Sequence, residues 1–281
     1  MDRSEYRDLL RLAERDMFDP IPQETLDEVL STPPFIAVPG TFNVRDLGAF
    51  GAPYIRTGRI YRSGMLGYLT EEGKKRVSDD MGVRLVLDLR AARERASIPP
   101  PDIPGVKFAW IPSEGAQTHL DLNDFVGERG GEKGYTKMYL EIMEEYAASF
   151  RHALEHIRDD ADSDGGILFH CSAGKDRTAV LAAILMGLAG VPDAAIAAEY
   201  SLTRIGMEPR KELFSQIFLQ SNPDWTPDTP GFSAFATMKA SYMLEFLDAV
   251  REKYGGMEGY AKSRLGMSDE DVSKIRLALK E

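Results

Sequence analysis

The chain has 281 residues, 43% hydrophobic and 28% charged, the make-up of a globular protein with core enough for one large domain or two small ones. Lys and Arg number 34 against 45 Asp and Glu, a net charge of −11, so the basic field that nucleic acids or anionic membranes require is missing. A single cysteine, Cys171, excludes an internal disulfide, and the charged N-terminus has no apolar signal segment. The longest apolar run, residues 179–191, is too short to span a bilayer. The expectation is a soluble, cytoplasmic protein without stable membrane insertion.

In chain order, residues 3–17 carry Tyr6, Leu9, Leu10, Ala13 and Met17 at helical spacing, which predicts an amphipathic helix. Prolines at 20, 22, 33 and 34 then punctuate the chain, so residues 1–34 read as an extension and 35–281 as the main domain. Short strands are predicted at 35–38, 59–62, 84–89, 108–111 and 167–170. Helices alternate with them. One is expected over 70–80, capped by Thr70, and one over 135–158, with Tyr139, Ile142, Tyr146, Phe150, Leu154 and Ile157 on one face. The run 178–188 is almost wholly apolar and predicts a buried central helix, and from 193 onward the pattern is helical only. This describes an α/β fold with a central, mostly parallel sheet flanked by helices and a helical C-terminal third.

One segment carries chemistry, His170-Cys171-Ser172-Ala173-Gly174-Lys175-Asp176-Arg177-Thr178. An apolar strand delivers it and an apolar helix leaves it. Backbone N–H groups at such a junction converge on an anion. Gly174 lets the backbone curl, and the fork of Arg177 can fold back onto two phosphoryl oxygens. A lone cysteine after a strand is often inert. A helix start and a nearby cation instead favour the thiolate, which predicts that Cys171 attacks phosphorus to form a phosphocysteine. His170 would support the loop, and the Thr178 hydroxyl would assist the departing thiolate. Ser172, Ala173, Gly174, Lys175, Asp176 and Arg177 would together bind the phosphate. This chemistry needs no metal or other cofactor.

His-Cys-x5-Arg-Thr resembles the signature of the cysteine-based protein tyrosine phosphatase superfamily, in the form used by its microbial branch of atypical tyrosine and lipid phosphatases. Asn43-Val44-Arg45-Asp46-Leu47-Gly48, Val86-Leu87-Asp88-Leu89-Arg90 with Glu94, and the helical tail from Tyr254-Gly255-Gly256 to Leu265-Gly266-Met267-Ser268 resemble other elements of that branch. The likeness covers about residues 35–281. Ala179 and Ala49 stand where most relatives have glycine, and neither change removes a catalytic group.

Expelling the ester oxygen requires a general acid. Asp176, inside the loop, is the first candidate. Asp88, at the end of a neighbouring strand, is the second. A glycine-rich stretch at 113–134, read as a mobile lid, offers Glu114, Asp121, Asp124 and Glu128. The resemblance also implies that Lys175, and Arg45 and Arg62 of the N-terminal element, contact substrate; pairing of those arginines with acids such as Asp46 is the alternative. Phosphorylated protein, chiefly phosphotyrosine with dual specificity in addition, is the first substrate reading. Phosphoinositides or inositol phosphates are the second, and a non-catalytic phosphate-binding module is the third. His152-x-x-Glu155-His156 has a zinc-protease spacing but falls on a helix face expected to be solvated. No glycine-rich nucleotide loop precedes Lys175.

Overall fold

The computed structural model describes residues 3–113, 120–159 and 165–280, with the side chains of 3–6 and 221 outside that description. Its centre is a five-stranded sheet of order β1-β2-β5-β3-β4. The strands are β1 (Arg45–Asp46), β2 (Ile60–Ser63), β3 (Val83–Asp88), β4 (Lys107–Ala109) and β5 (Gly166–His170). Only β1 runs antiparallel, and the other neighbours are parallel. Four of the five predicted strands therefore form, within a residue or two of their expected ends. Residues 35–38 do not; prolines flank them, and only Phe35 bridges, to Arg45.

Alternation along the strands divides the core. Ile60, Leu85, Leu87, Ile167 and Phe169 face the larger cluster, while Tyr61, Val83, Val86 and Leu168 face a second. A sheet buried on both faces suits parallel strands of this apolar kind. The smaller face is covered by α4 (Glu71–Lys75), which is capped by Thr70 and runs into a π turn.

The larger face carries α6 (Gly130–Glu145), α7 (Ala147–Asp159), α8 (Asp176–Ala189) and α9 (Asp193–Ser201). In the chain, the short helix α3 (Leu47–Gly51) joins β1 to β2 and α5 (Ala92–Ser97) lies between β3 and β4. The single helix expected over 135–158 is two, kinked at Tyr146 (φ −104°, ψ 15°). Hydrogen bonding carries across the kink, from Tyr146 N–H to the Ile142 carbonyl and from Phe150 N–H to the Tyr146 carbonyl. Nearly every residue of α8 is buried, as its uniform apolarity requires, and Gly190 closes it in the left-handed conformation.

The C-terminal third is helical: α10 (Thr203–Met207), α11 (Lys211–Ser221), α12 (Phe232–Ala236), α13 (Ala240–Tyr254), α14 (Met257–Ser263) and α15 (Asp269–Lys280). Among the described residues no helix is long and apolar enough to cross a membrane. The first helix, α1, ends at Ala13, and a second, α2 (Gln23–Leu30), follows. Both pack on Leu202 and Ile205. The buried Arg204 guanidinium fastens the connection between them by donating to the Asp16 and Asp19 carbonyls.

The glycines of the supposed lid have a structural use. A Cβ on Gly131 would lie 2.3 Å from the Tyr242 ring, and one on Gly134 2.6 Å from the Phe125 ring. They allow α6 to approach its neighbours, so 130–134 is packed helix rather than hinge. Gly131→Ala is expected to lower stability by about 1–3 kcal/mol through overpacking. Urea unfolding checks this: the midpoint should fall with the slope unchanged, whereas a higher midpoint would contradict the close packing.

Candidate active site

The parallel strands β2, β5 and β3 end in register, with Ser63 and Asp88 both beside His170. Residues 171–175 leave the centre of this edge and curl into the first turn of α8. Gly174 has φ +66°, and a Cβ there would lie 2.3 Å from the Ser63 carbonyl oxygen, so only glycine fits the turn.

Curling turns the loop carbonyls outward, and each finds a donor. His170 Nδ1–H donates to the Cys171 carbonyl at 2.9 Å and Met65 N–H to that of Ser172 at 3.0 Å. Asn43 Nδ2 donates to the Ala173 and Gly174 carbonyls at 3.3 and 3.1 Å, and Arg62 Nη2 to Gly174 at 2.8 Å. Ala179 N–H donates to Lys175. Among the described residues, no N–H from 172 to 178 donates to a protein acceptor. With the carbonyls occupied on the outside, these amides remain for an anion held at Cys171.

Cys171 is 2% exposed, at the floor of this cradle. Arg177 folds back, as its spacing from Cys171 predicts. Its Nη1 and Nη2 donate to the two Glu94 oxygens at 2.5 and 2.8 Å, and Nη1 also donates to the Leu89 carbonyl at 3.1 Å. A guanidinium has five N–H donors, so Nε–H and the second Nη2–H remain, and they share one edge. That edge can grip two phosphoryl oxygens.

Glu94, quoted from the sequence only as part of a strand-end motif, is thus the group that aims Arg177. It also accepts from the Ser172 hydroxyl and from Ala91 N–H. Burial works against its ionisation, but the Arg177 hydrogen bond and charge, with the Ser172 hydroxyl, outweigh it and hold the carboxyl down at about 2. Its place on α5, directly after the β3 end, was the available signal.

Several expected site residues sit elsewhere than expected. Arg45 and Arg62 are fully buried, and both guanidiniums close on Glu199 of α9, at 2.7 and 2.6 Å. They lie behind the loop and do not line a substrate pocket, which corrects their assignment as substrate-binding residues. Nor do they pair with Asp46, which accepts from the Gly48 and Gly58 amides.

Asp88 is also fully buried. It is enclosed by Arg90 and Arg95 and lies 3.8 Å from His170 Nε2. Burial pushes its carboxyl up, but the Arg90 hydrogen bonds and the surrounding positive charge bring it below the ordinary carboxylate range. Fully enclosed and held by two arginines, Asp88 has no path to an ester oxygen at the cradle, and it is corrected from candidate acid to anchor of Arg90. Burial pushes His170 below its ordinary value, so it is neutral and carries its proton on Nδ1.

Of the lid acids, Glu128 is exposed with no side-chain partner among the described residues, and the other three are occupied or not described. Asp121 caps a turn, Asp124 pairs with Lys137 at 2.7 Å, and Glu114 is not described. His152 and His156 are half-buried rather than solvated.

Lys175 is 4% exposed, caged between the Tyr135 and Phe235 rings and donating to the Tyr135 hydroxyl and the Phe235 carbonyl. Asp176 begins α8 beside it, with Oδ1 accepting from the Tyr139 hydroxyl at 3.1 Å and 3.3 Å from Lys175 Nζ. The Thr178 hydroxyl is buried with no hydrogen-bond partner among the described residues.

The Glu94–Arg177 clamp has a pH signature. A carboxyl lowered by folding adds stability above its unfolded value of 4.5, and this is lost as pH falls toward about 2. Glu94→Gln should therefore cost on the order of 2 kcal/mol at neutral pH, after allowance for its partial exposure. In melts from neutral pH downward, the gap to the unsubstituted protein should hold to about pH 5 and close below it; a constant gap would rule the clamp out.

Sequence comparison agrees with this geometry. A curated tyrosine-protein phosphatase of Nostoc commune is 30% identical over 224 residues, covering 78% of this chain and 73% of that protein. The triple specificity protein phosphatase PtpB of Mycobacterium tuberculosis is 25% identical over 271 residues, covering 85% of this chain and 96% of its own. The sequence model of the tyrosine phosphatase family matches residues 36–281. The chain therefore belongs to the tyrosine phosphatase family and is a protein tyrosine phosphatase-like hydrolase of phosphate monoesters.

Proposed function

We propose that the enzyme hydrolyses protein phosphotyrosine through a phosphocysteine, with residues 35–281 as the catalytic domain and 1–34 as an extension to it. Cys171 Sγ attacks phosphorus; the S–P bond forms as the bond to the ester oxygen breaks. Asp176 gives that oxygen a proton. Water then attacks phosphorus, its proton passes to Asp176, and the S–P bond breaks with the electron pair returning to sulfur. The N–H groups of 172–178 and the free edge of Arg177 hold the phosphoryl oxygens through both steps. The unpartnered Thr178 hydroxyl can donate to sulfur as it leaves. His170, through its hydrogen bond to the Cys171 carbonyl, is a positioning residue.

One observation carries the substrate reading: of the four cations expected to meet substrate, Arg177 alone keeps an accessible edge, the other three being buried. Lys175 is caged, and Arg45 and Arg62 are buried against Glu199 behind the loop. A pocket with one accessible cation among the described residues suits one phosphate, whereas a polyphosphorylated inositol ring calls for several. The depth of Cys171 favours a long aryl ester over a short alkyl one. The relatives' names, one a tyrosine-protein phosphatase and one of triple specificity, are compatible with phosphotyrosine first and dual specificity beyond it. The lone thiol must stay unoxidised to act, which favours a reducing, cytoplasmic setting.

Phosphate release from phosphotyrosine, phosphoserine/threonine and phosphoinositide substrates tests this. Phosphotyrosine peptides should show kcat/KM at least about tenfold above the phosphoinositides, one order being about 1.4 kcal/mol of transition-state discrimination. Cys171→Ser should abolish release, and acid-quenched enzyme should carry a phosphoryl group on the Cys171 peptide. Preference for phosphoinositides would overturn the substrate reading. Binding of phosphate without release from any substrate would leave a phosphate-binding module.

A further inference from the structure

We propose that Tyr139, itself held by Tyr200, is a positioning residue that fixes which oxygen of the Asp176 carboxyl carries the transferable proton. This rests on the reading of Asp176 as the general acid.

The two phenols come from different helices and meet behind the loop. Tyr139 of α6 is fully buried and Tyr200 of α9 is 1% exposed, with their hydroxyl oxygens 2.9 Å apart. Tyr139 Oη is also 3.1 Å from Asp176 Oδ1. Each phenol has one proton to donate. Asp176 Oδ1 can only accept here, so the Tyr139 proton goes to it. The Tyr139 oxygen must then accept from Tyr200, whose hydroxyl has no other hydrogen-bond partner among the described residues. The chain therefore has one direction, Tyr200 to Tyr139 to Asp176.

This direction distinguishes the two carboxyl oxygens. The Tyr139 hydrogen bond and the Lys175 ammonium both fall on Oδ1, and no protein group among the described residues donates to Oδ2. In the protonated acid, the oxygen that accepts is the carbonyl oxygen, so the proton resides on Oδ2. When the P–O bond breaks, the electron pair goes to the ester oxygen and the proton passes to it from Oδ2. In the second step the attacking water returns a proton to the same atom. No proton leaves Tyr139, so it acts only through Asp176.

The groups that face the carboxyl agree with this. Lys175 and Arg177 flank it on its own segment, Tyr135 and Tyr139 approach from α6 and Tyr200 from α9, and Cys171 acts on the neighbouring Lys175. Arg62 and Tyr242 act on Tyr200 from β2 and α13. Burial first, then neighbouring oxygens, pushes Tyr139 and Tyr200 well above the ordinary phenol value, so both remain neutral donors throughout the working range. The rings are fixed independently of the hydroxyls, with Tyr139 packed edge-on against Tyr200 and Phe246.

The test compares Tyr139→Phe and Asp176→Asn on two aryl phosphates. p-Nitrophenyl phosphate has a leaving group that departs with little protonation, and phenyl phosphate has one that needs it. The ratio of the two kcat values does not depend on how much enzyme is folded. Asp176→Asn should reduce turnover of phenyl phosphate by about 100-fold or more relative to p-nitrophenyl phosphate. Tyr139→Phe should reduce it by about tenfold relative, with KM little changed and the loss of kcat at high pH beginning at a different pH. Equal loss on both substrates in Tyr139→Phe, with Asp176→Asn selective, would make Tyr139 merely structural and overturn this proposal alone. A non-selective Asp176→Asn would instead overturn the general-acid reading beneath it.

Discussion

A loop that offers its N–H groups to an anion must turn its carbonyls the other way, and here that means into the protein. A buried carbonyl without a donor loses more than a hydrogen bond gains. Everything behind residues 171–175 meets that requirement. The end of β2 supplies Met65 N–H and the Arg62 guanidinium, the segment before β1 supplies Asn43, and β5 supplies His170. The antiparallel β1 exists on the strength of two residues, yet it places Arg45 against Glu199, and Arg45 in turn donates to the Asn43 side chain. The phosphate cradle is thus one face of a structure whose other face is a set of satisfied carbonyls.

The same constraint explains why two arginines are buried together. Arg45 and Arg62 share one carboxylate, Glu199, which leaves an excess positive charge beneath the loop. Burial, moderated by Glu199 and aggravated by Arg62, brings Arg45 down to about 10, still charged at neutral pH. Buried ion groups seldom add stability over apolar packing of equal volume. Their worth lies in geometry and field: Arg62 fixes the Gly174 carbonyl, and the excess charge opposes none of the phosphate's own.

The strand ends, the central helix and the loop were legible because each rests on local pattern: apolar runs, a glycine, a cysteine and arginine at fixed spacing. What stayed hidden depends on pairs distant in sequence. Arg45 and Arg62 look like substrate cations until Glu199 folds over them, more than a hundred residues away. Glycines 130, 131 and 134 look like a hinge until Phe125 and Tyr242 are seen to need the missing side chains. Tyr139 belongs to the apolar face that periodicity identified, and its burial was correctly read. Periodicity places a ring, however, and is silent on where its hydroxyl points. Glu94 was quoted for its motif, but its bond to Arg177 joins two segments that only the sheet brings together.

The proposed placement of the acid within the loop has a mechanical consequence. Asp176, Cys171 and Arg177 lie within one strand–loop–helix unit, and the partners of Asp176 come from α6 and α9, which pack on that unit's own helix. On the proposed mechanism, nucleophile, phosphate grip and proton donor therefore belong to one unit, and no separate acid-bearing segment has to close for chemistry. Elements above the site are released from that duty. The cover over Lys175 comes from α12, whose Phe235 supplies both a ring and a carbonyl, and it holds a cation rather than a catalytic acid. On that mechanism the arrangement separates rate from selectivity: the strand–loop–helix unit carries the chemistry, and α6 and α12, which enclose Lys175, keep that cation from the substrate.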